Sequence, residues 1–204
     1  MKQAGRGFSL IELLIGVAVL GILLALGASS FRVWIGNMRI RTTAESIQNG
    51  LQLARGEAVR RNALISFQLV DNLTAGCALT LTTSNWVVSY DNPANACNAD
   101  LLNEAFPVND AVNNPPPRIL QRRTAAEGSG NVLVAADQST FVFNGLGRLA
   151  AVPATNPVVI NVQPVAAVGD CTTLRCLRVT VTVGGQIRMC DPAYPAGGTD
   201  PQRC

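Results

Sequence analysis

A run of 19 residues, Leu13–Phe31, contains no charged side chain, and this restricts the chain more than any other feature. As an α-helix it would extend roughly 28 Å, close to the ~30 Å hydrocarbon thickness of a bilayer. It is longer than the ~7–15-residue apolar region of a secretory signal. The small residues near its end (Gly27, Ala28, Ser29, Ser30) lead into a further helical pattern. Lys2 and Arg6 precede the run, which places that end in the cytoplasm and the remainder across the membrane. One acid, Glu12, stands at the mouth of the run. An ionised carboxylate in hydrocarbon costs at least ~2.5 kcal/mol, so Glu12 is either solvated at the headgroup level or paired with a cation from a neighbouring helix.

Beyond the run, Val33, Ile40, Ala44, Ile47, Leu51, Ala54 and Ala58 recur at spacings of three, four and seven. That is one face of an amphipathic helix. No proline interrupts it before Asn62, so a single helix of about fifty residues is expected, half in the membrane and half packed on a sheet. Six arginines against Glu45 and Glu57 make residues 32–61 basic. They form a solvated face, or they contact neighbouring subunits or anionic lipid headgroups.

From Ala63 the pattern changes to short β-like runs bounded by turn residues. Strands are expected at Ala63–Val70, Cys77–Thr82, Trp86–Tyr90, Ile119–Arg122, Asn131–Ala135, Thr140–Asn144, Arg148–Val152, Val158–Val162, Leu177–Val183 and Gln186–Cys190. Residues 91–117, rich in Asn, Ala and Pro, read as a long exposed loop tied by Cys97. Gly145-Leu146-Gly147 and Gly184-Gly185 read as hairpin turns, since neither has the lysine and following helix of a phosphate-binding loop. The tail from Asp191 to Cys204 needs a disulfide to be held.

All six cysteines (Cys77, Cys97, Cys171, Cys176, Cys190 and Cys204) follow the apolar run. An even count confined to the exported part points to disulfides in an oxidising compartment. Fifteen connectivities are open, and pairing of sequence neighbours is the expected one: Cys77–Cys97, Cys171–Cys176 and Cys190–Cys204. A zinc site is disfavoured because the chain has no histidine and no C-x-x-C pair. Lack of histidine also removes the usual Ser-His and Cys-His nucleophiles, and Asp91, Asp100 and Asp110 form no paired-carboxylate signature. An enzyme is therefore not expected, nor any cofactor. From Asn62 onward eight arginines face ten acids, which argues against a strongly basic nucleic-acid-binding head.

Gly7-Phe8-Ser9-Leu10-Ile11-Glu12 resembles the processing site of type IV prepilins and type II secretion pseudopilins. The resemblance implies that a prepilin peptidase of the inner membrane cuts between Gly7 and Phe8 and that Phe8 is then N-methylated. It implies further that Glu12 pairs with the terminal amine of a neighbouring subunit. Three further stretches resemble the GspH/FimT/FimU branch of minor pilins and pseudopilins: Leu51–Asn62, Phe141–Leu149 and Gly185–Pro192.

The implied fold is α+β and type IV pilin-like, with a long N-terminal helix packed on a β-rich head. Its parts would be a leader (1–7), a transmembrane half-helix (8–31), an amphipathic half-helix (32–62) and the head (63–204). The implied function is that of a minor pilin that initiates or caps a type IV pilus, with an H-type secretion pseudopilin as the alternative. Partners would be other pilins or pseudopilins, with the head in the periplasm before incorporation into the filament. Small residues Gly16, Gly21 and Gly27 would allow close helix approach.

Two positions depart from the pattern. Ser29 stands where many relatives have a helix-kinking proline. Gly185-Gln186-Ile187-Arg188 keeps only the second arginine of the Gly-Arg-x-Arg found in relatives that bind DNA during natural transformation. DNA binding is thus a minor alternative, with Arg178 and Arg188 as the candidate contacts.

Overall fold

A computed structural model describes residues 9–125, 130–194 and 197–204, without the side chains of residues 25–29. A helix, α1, runs unbroken from Leu10 to Arg61 over 52 residues, through position 29. Ser9 caps its start: in extended conformation, its hydroxyl accepts the Glu12 amide at 3.3 Å. With Glu12 three residues on, this has the Ser-x-x-Glu spacing of a capping box, and its serine half satisfies the Glu12 amide of the first turn. At the other end Asn62 takes the left-handed conformation (φ 47°), which asparagine tolerates, and the Ala63 amide returns to the Ala58 carbonyl.

Ile40, Ala44, Ile47, Leu51, Ala54 and Ala58 are fully buried. Val33, expected on the same face, is 43 % exposed, because α1 leaves the head before that turn. Gly50 sits so close to the head that a Cβ there would lie 2.7 Å from the Phe67 ring and 3.0 Å from the Trp86 indole. The Trp86 indole N–H is satisfied by Ser46 of the helix at 3.1 Å.

Eight strands follow: β1 (Ile65–Leu69), β2 (Trp86–Ser89), β3 (Ile119–Arg123), β4 (Val132–Ala136), β5 (Thr140–Phe143), β6 (Val158–Pro164), β7 (Leu177–Val181) and β8 (Ile187–Cys190). They form two antiparallel four-stranded sheets, ordered β3-β2-β1-β5 and β4-β6-β7-β8, and α1 packs on both. In the second sheet β6 and β7 alternate strictly: in β7, Leu177, Val179 and Val181 face the core while Arg178 and Thr180 face outward. In the first sheet β1 and β2 are buried on both faces. Their outer face carries a second small core of Val70, Val87, Ile119 and the Cys77–Cys97 bridge.

That second core corrects two expectations. Cys77–Thr82 is not a strand; it makes one bridge, Leu79 to Val70, and folds over the sheet because the Asp71 carboxylate accepts the Ala78 amide at 2.8 Å. The 91–117 segment is a loop, as expected, but a docked one. Arg122 donates to the Cys97 and Ala99 carbonyls, and Arg118 makes a two-pronged pair with Asp91 at 2.6 and 2.7 Å. The buried Asn114 amide donates to the carbonyls of Asn103 and Pro107 at 3.1 and 3.0 Å. Arg148–Val152 is not a strand either. Leu149 is pulled between the sheets, bridging Phe143 while its amide donates to Val183.

Candidate assembly surface

The helix divides at about residue 35. Beyond it α1 belongs to the head's core; before it, Leu10, Leu13, Leu14, Val17, Leu20 and Leu24 are all exposed. A surface this apolar over several turns is a contact surface for lipid or for other helices. Among the described residues no helix is long and apolar enough to cross a membrane. The uncharged run extends to Phe31 through residues 25–29, whose side chains lie outside the description. Gly16 and Gly21 have open space where a Cβ would stand, so another backbone can approach there. Glu12 is exposed in the first turn, its carboxylate at the positive end of the helix. Gly7 and Phe8 lie outside the described residues.

The other end of α1 is where the three stretches that resemble the pilin branch converge. Arg55 donates to the Gly147 carbonyl at 3.0 Å. Gly147 (φ +71°) lies against Arg55 and Val59, and Gly185 (φ +80°) lies so close to Gly147 that a Cβ would fall 1.8 Å from its carbonyl oxygen. Gly145 also lies against Asn62, where a Cβ would stand 3.1 Å from its Cα and closer still to its side-chain oxygen. Both glycine turns, one from each sheet, are thus seated on the last turns of the helix. Gly184-Gly185 does close the expected β7–β8 hairpin.

Beside this junction Arg61 bonds Glu57 at 2.6 Å and also Glu104 of the long loop, while Arg60 bonds Glu57 at 2.7 Å. Arg61 and Arg118 both lie over the Tyr90 ring, 5.8 and 5.2 Å from its centroid. Burial alone raises the Glu57 carboxyl, but hydrogen bonds from Arg60 and Arg61 outweigh it and hold the group below its ordinary value. Arg61 likewise lowers Glu104. Of these contacts, only the Ser9–Glu12, Glu57–Arg60 and Glu57–Arg61 spacings could have been announced by the sequence.

The six cysteines pair as Cys77–Cys97, Cys171–Cys176 and Cys190–Cys204. The last pair anchors the tail beside β8, where the Asp191 amide meets Gln202 at 2.7 Å. Arg188 donates to the tail carbonyls of Pro201 and Arg203, at 2.6 and 2.9 Å. Arg178 donates to Asn161 across the β6–β7 pair at 2.9 Å. Both arginines stand on the outer face of the second sheet, one strand apart, and both hold neighbouring chain.

Two clefts of about 370 and 450 Å³ flank the stem, within the ~300–1,000 Å³ range of ligand sites. The first is occupied on its polar side by the Arg175–Asp191 pair at 2.6 Å; the second is lined by Val33, Ile40, Val168 and Leu174 with Arg32 and Arg39. No group of three metal-ligating side chains occurs among the described residues.

The helix is thus exposed and apolar at one end and built into two sheets at the other. Residues 43–185 match the family model described as type II transport protein GspH, and residues 2–28 match the prokaryotic N-terminal methylation motif. The chain therefore belongs to the GspH family of pilin-type subunits. Two crystal structures of the type IV minor pilin FimU from Pseudomonas aeruginosa are similar at 16 % identity and a TM-score of 0.45. One match covers 79 % of this chain and 98 % of that one, the other 80 % and 93 %. No curated protein matches the sequence.

Proposed function

We propose that this chain is a minor pilin of a type IV pilus, a structural subunit that helps to initiate or cap the filament. The observation that carries this reading is the single continuous helix, exposed and, apart from Glu12, apolar from Leu10 to Leu24 and locked into the head from Gly36 onward. A free apolar half-helix allows lateral association in the bilayer, and a rigid second half carries the head with it. In this reading a prepilin peptidase cuts after Gly7, Phe8 is methylated, residues 8–31 span the inner membrane and the head faces the periplasm. Glu12 then meets the terminal amine of the next subunit.

The description of the matched family favours one alternative, an H-type pseudopilin of type II secretion. The two are separated by deleting the gene and counting surface filaments against secreted enzymes. Loss of filaments with normal secretion supports the pilin; the converse supports the pseudopilin. The processing step is tested by mass analysis of the native amino terminus, which is expected to begin at methylated Phe8. Gly7→Ala is expected to leave the uncut precursor, and mature-length protein from that variant would count against the whole reading. DNA uptake has less support, since Arg178 and Arg188 are each engaged within the head. A salt series of gel shifts tests it, with binding strongest at low salt if phosphates are contacted.

A further inference from the structure

Between the apolar run and the first helix position buried by the head lies a short collar with exposed side chains that the fold does not use. Phe31 and Trp34 are 59 % and 58 % exposed, and their rings stack on each other with centroids 5.8 Å apart. Trp86, by contrast, is 2 % exposed. A pair of large aromatics on an aqueous surface is uncommon, whereas the membrane–water interface favours such rings.

Charge is distributed in the same direction. Arg41 is paired with Glu45 at 2.7 Å, Arg55 is bound to Gly147, and Arg60 and Arg61 to Glu57. Arg32 and Arg39, at the collar, have no ion-pair partner among the described residues. Of the stem arginines without an ion pair among the described residues, Arg55 is held at the junction by a neutral carbonyl, and Arg32 and Arg39 stand next to the exposed aromatics.

Length agrees as well. The first buried stem residue is Gly36, where a Cβ would meet Leu174 at 2.8 Å. From Phe31 to Gly36 the helix rises about 7.5 Å. A bilayer ~40–45 Å thick with a ~30 Å core leaves about 5–7 Å of headgroup on each side. If the uncharged run fills the core, the head begins where the headgroups end, and the collar occupies the layer between.

We propose that residues 31–35, with Arg39 one turn above them, form a headgroup collar that seats the head on an anionic phospholipid surface. Trp34 lies in the interface, Arg32 contacts lipid phosphates, and Arg39 reaches back to them with a side chain that leans toward the helix N-terminus. This rests on the membrane-spanning reading given above and adds to it the depth and lipid chemistry of the resting state.

The test uses the full-length protein in vesicles of phosphatidylglycerol and phosphatidylcholine. Lipids brominated near the headgroup are expected to quench part of the tryptophan emission, and Trp34→Phe is expected to remove that part, leaving buried Trp86. Lipid retained with the extracted protein is expected to be enriched in phosphatidylglycerol. The Arg32→Gln/Arg39→Gln double variant loses that enrichment, while Arg41→Gln, whose parent arginine is already paired, keeps it.

Quenching of Trp34 by aqueous iodide but not by brominated lipid overturns the collar, as does equal retention of the two lipids. Cross-linking between copies through position 34 at low protein-to-lipid ratio also overturns it, because a second copy would then cover the aromatics. A chain released from vesicles by alkaline wash does not span the bilayer, and the underlying membrane reading falls with it. A chain that resists the wash but leaves Trp34 open to iodide sinks the collar alone.

Discussion

Two glycines in the same turn, Gly184 and Gly185, meet different surroundings. At Gly185 the backbone is left-handed and the Gly147 carbonyl occupies the space of a Cβ; at Gly184 the nearest atom is the Thr182 hydroxyl, 3.8 Å away. Gly185→Ala is therefore expected to destabilise the head by about 3 kcal/mol, from backbone strain and a clash with main chain that cannot rotate away. Gly184→Ala should be close to neutral. Urea midpoints of the two variants in detergent check this, and equal midpoints would count against the junction. At Glu12 the same scale separates folding from assembly. Its backbone amide, not its carboxylate, makes the observed bond to Ser9, and alanine keeps that amide. Glu12→Ala should enter the membrane normally yet be poorly incorporated, as read by the ratio of filament-bound to membrane-bound protein.

At the scale of elements, the buried face of α1 from Ile40 to Ala58 was readable because a helical period leaves its mark on residue type. Where that face stops was not readable: Val33 fits the period, but it stands in the open cleft where α1 parts from the head. The long loop was opaque for a different reason. Its Asn, Asp and Pro residues signal turns, whereas its position depends on partners far away, such as Arg61 bonded to Glu104 43 residues on. The glycine turns could be identified as turns, but their seat on Arg55, 92 residues before Gly147, leaves no local trace.

The docked loop carries a pH dependence. Glu57 and Glu104 titrate lower in the fold than in an unfolded chain. Their contribution is thus complete above about pH 4.3 and is lost as pH falls through the depressed folded values. Hydrogen-exchange protection in residues 99–114, measured relative to the intrinsic rate at each pH, should fall below that pH, and Glu104→Gln should lower protection at neutral pH while flattening the acid response. An unchanged profile in the variant would show that Glu104 does not hold the loop.

For the whole molecule, the unbroken run of α1 from Leu10 to Arg61 turns sequence length into angle. Each residue added between the exposed half and the head advances the head by about 1.5 Å and swings it by about 100° around the helix axis. Two alanines inserted after Val33 would face the head nearly backwards relative to the exposed half. Seven would return it to within about 20° of its original bearing, merely standing about 10 Å further out. If the helix acts as a rigid spindle, filaments should tolerate the longer insertion better than the shorter one, which counting assembled subunits would reveal. The subunit would then read compass direction more strictly than height.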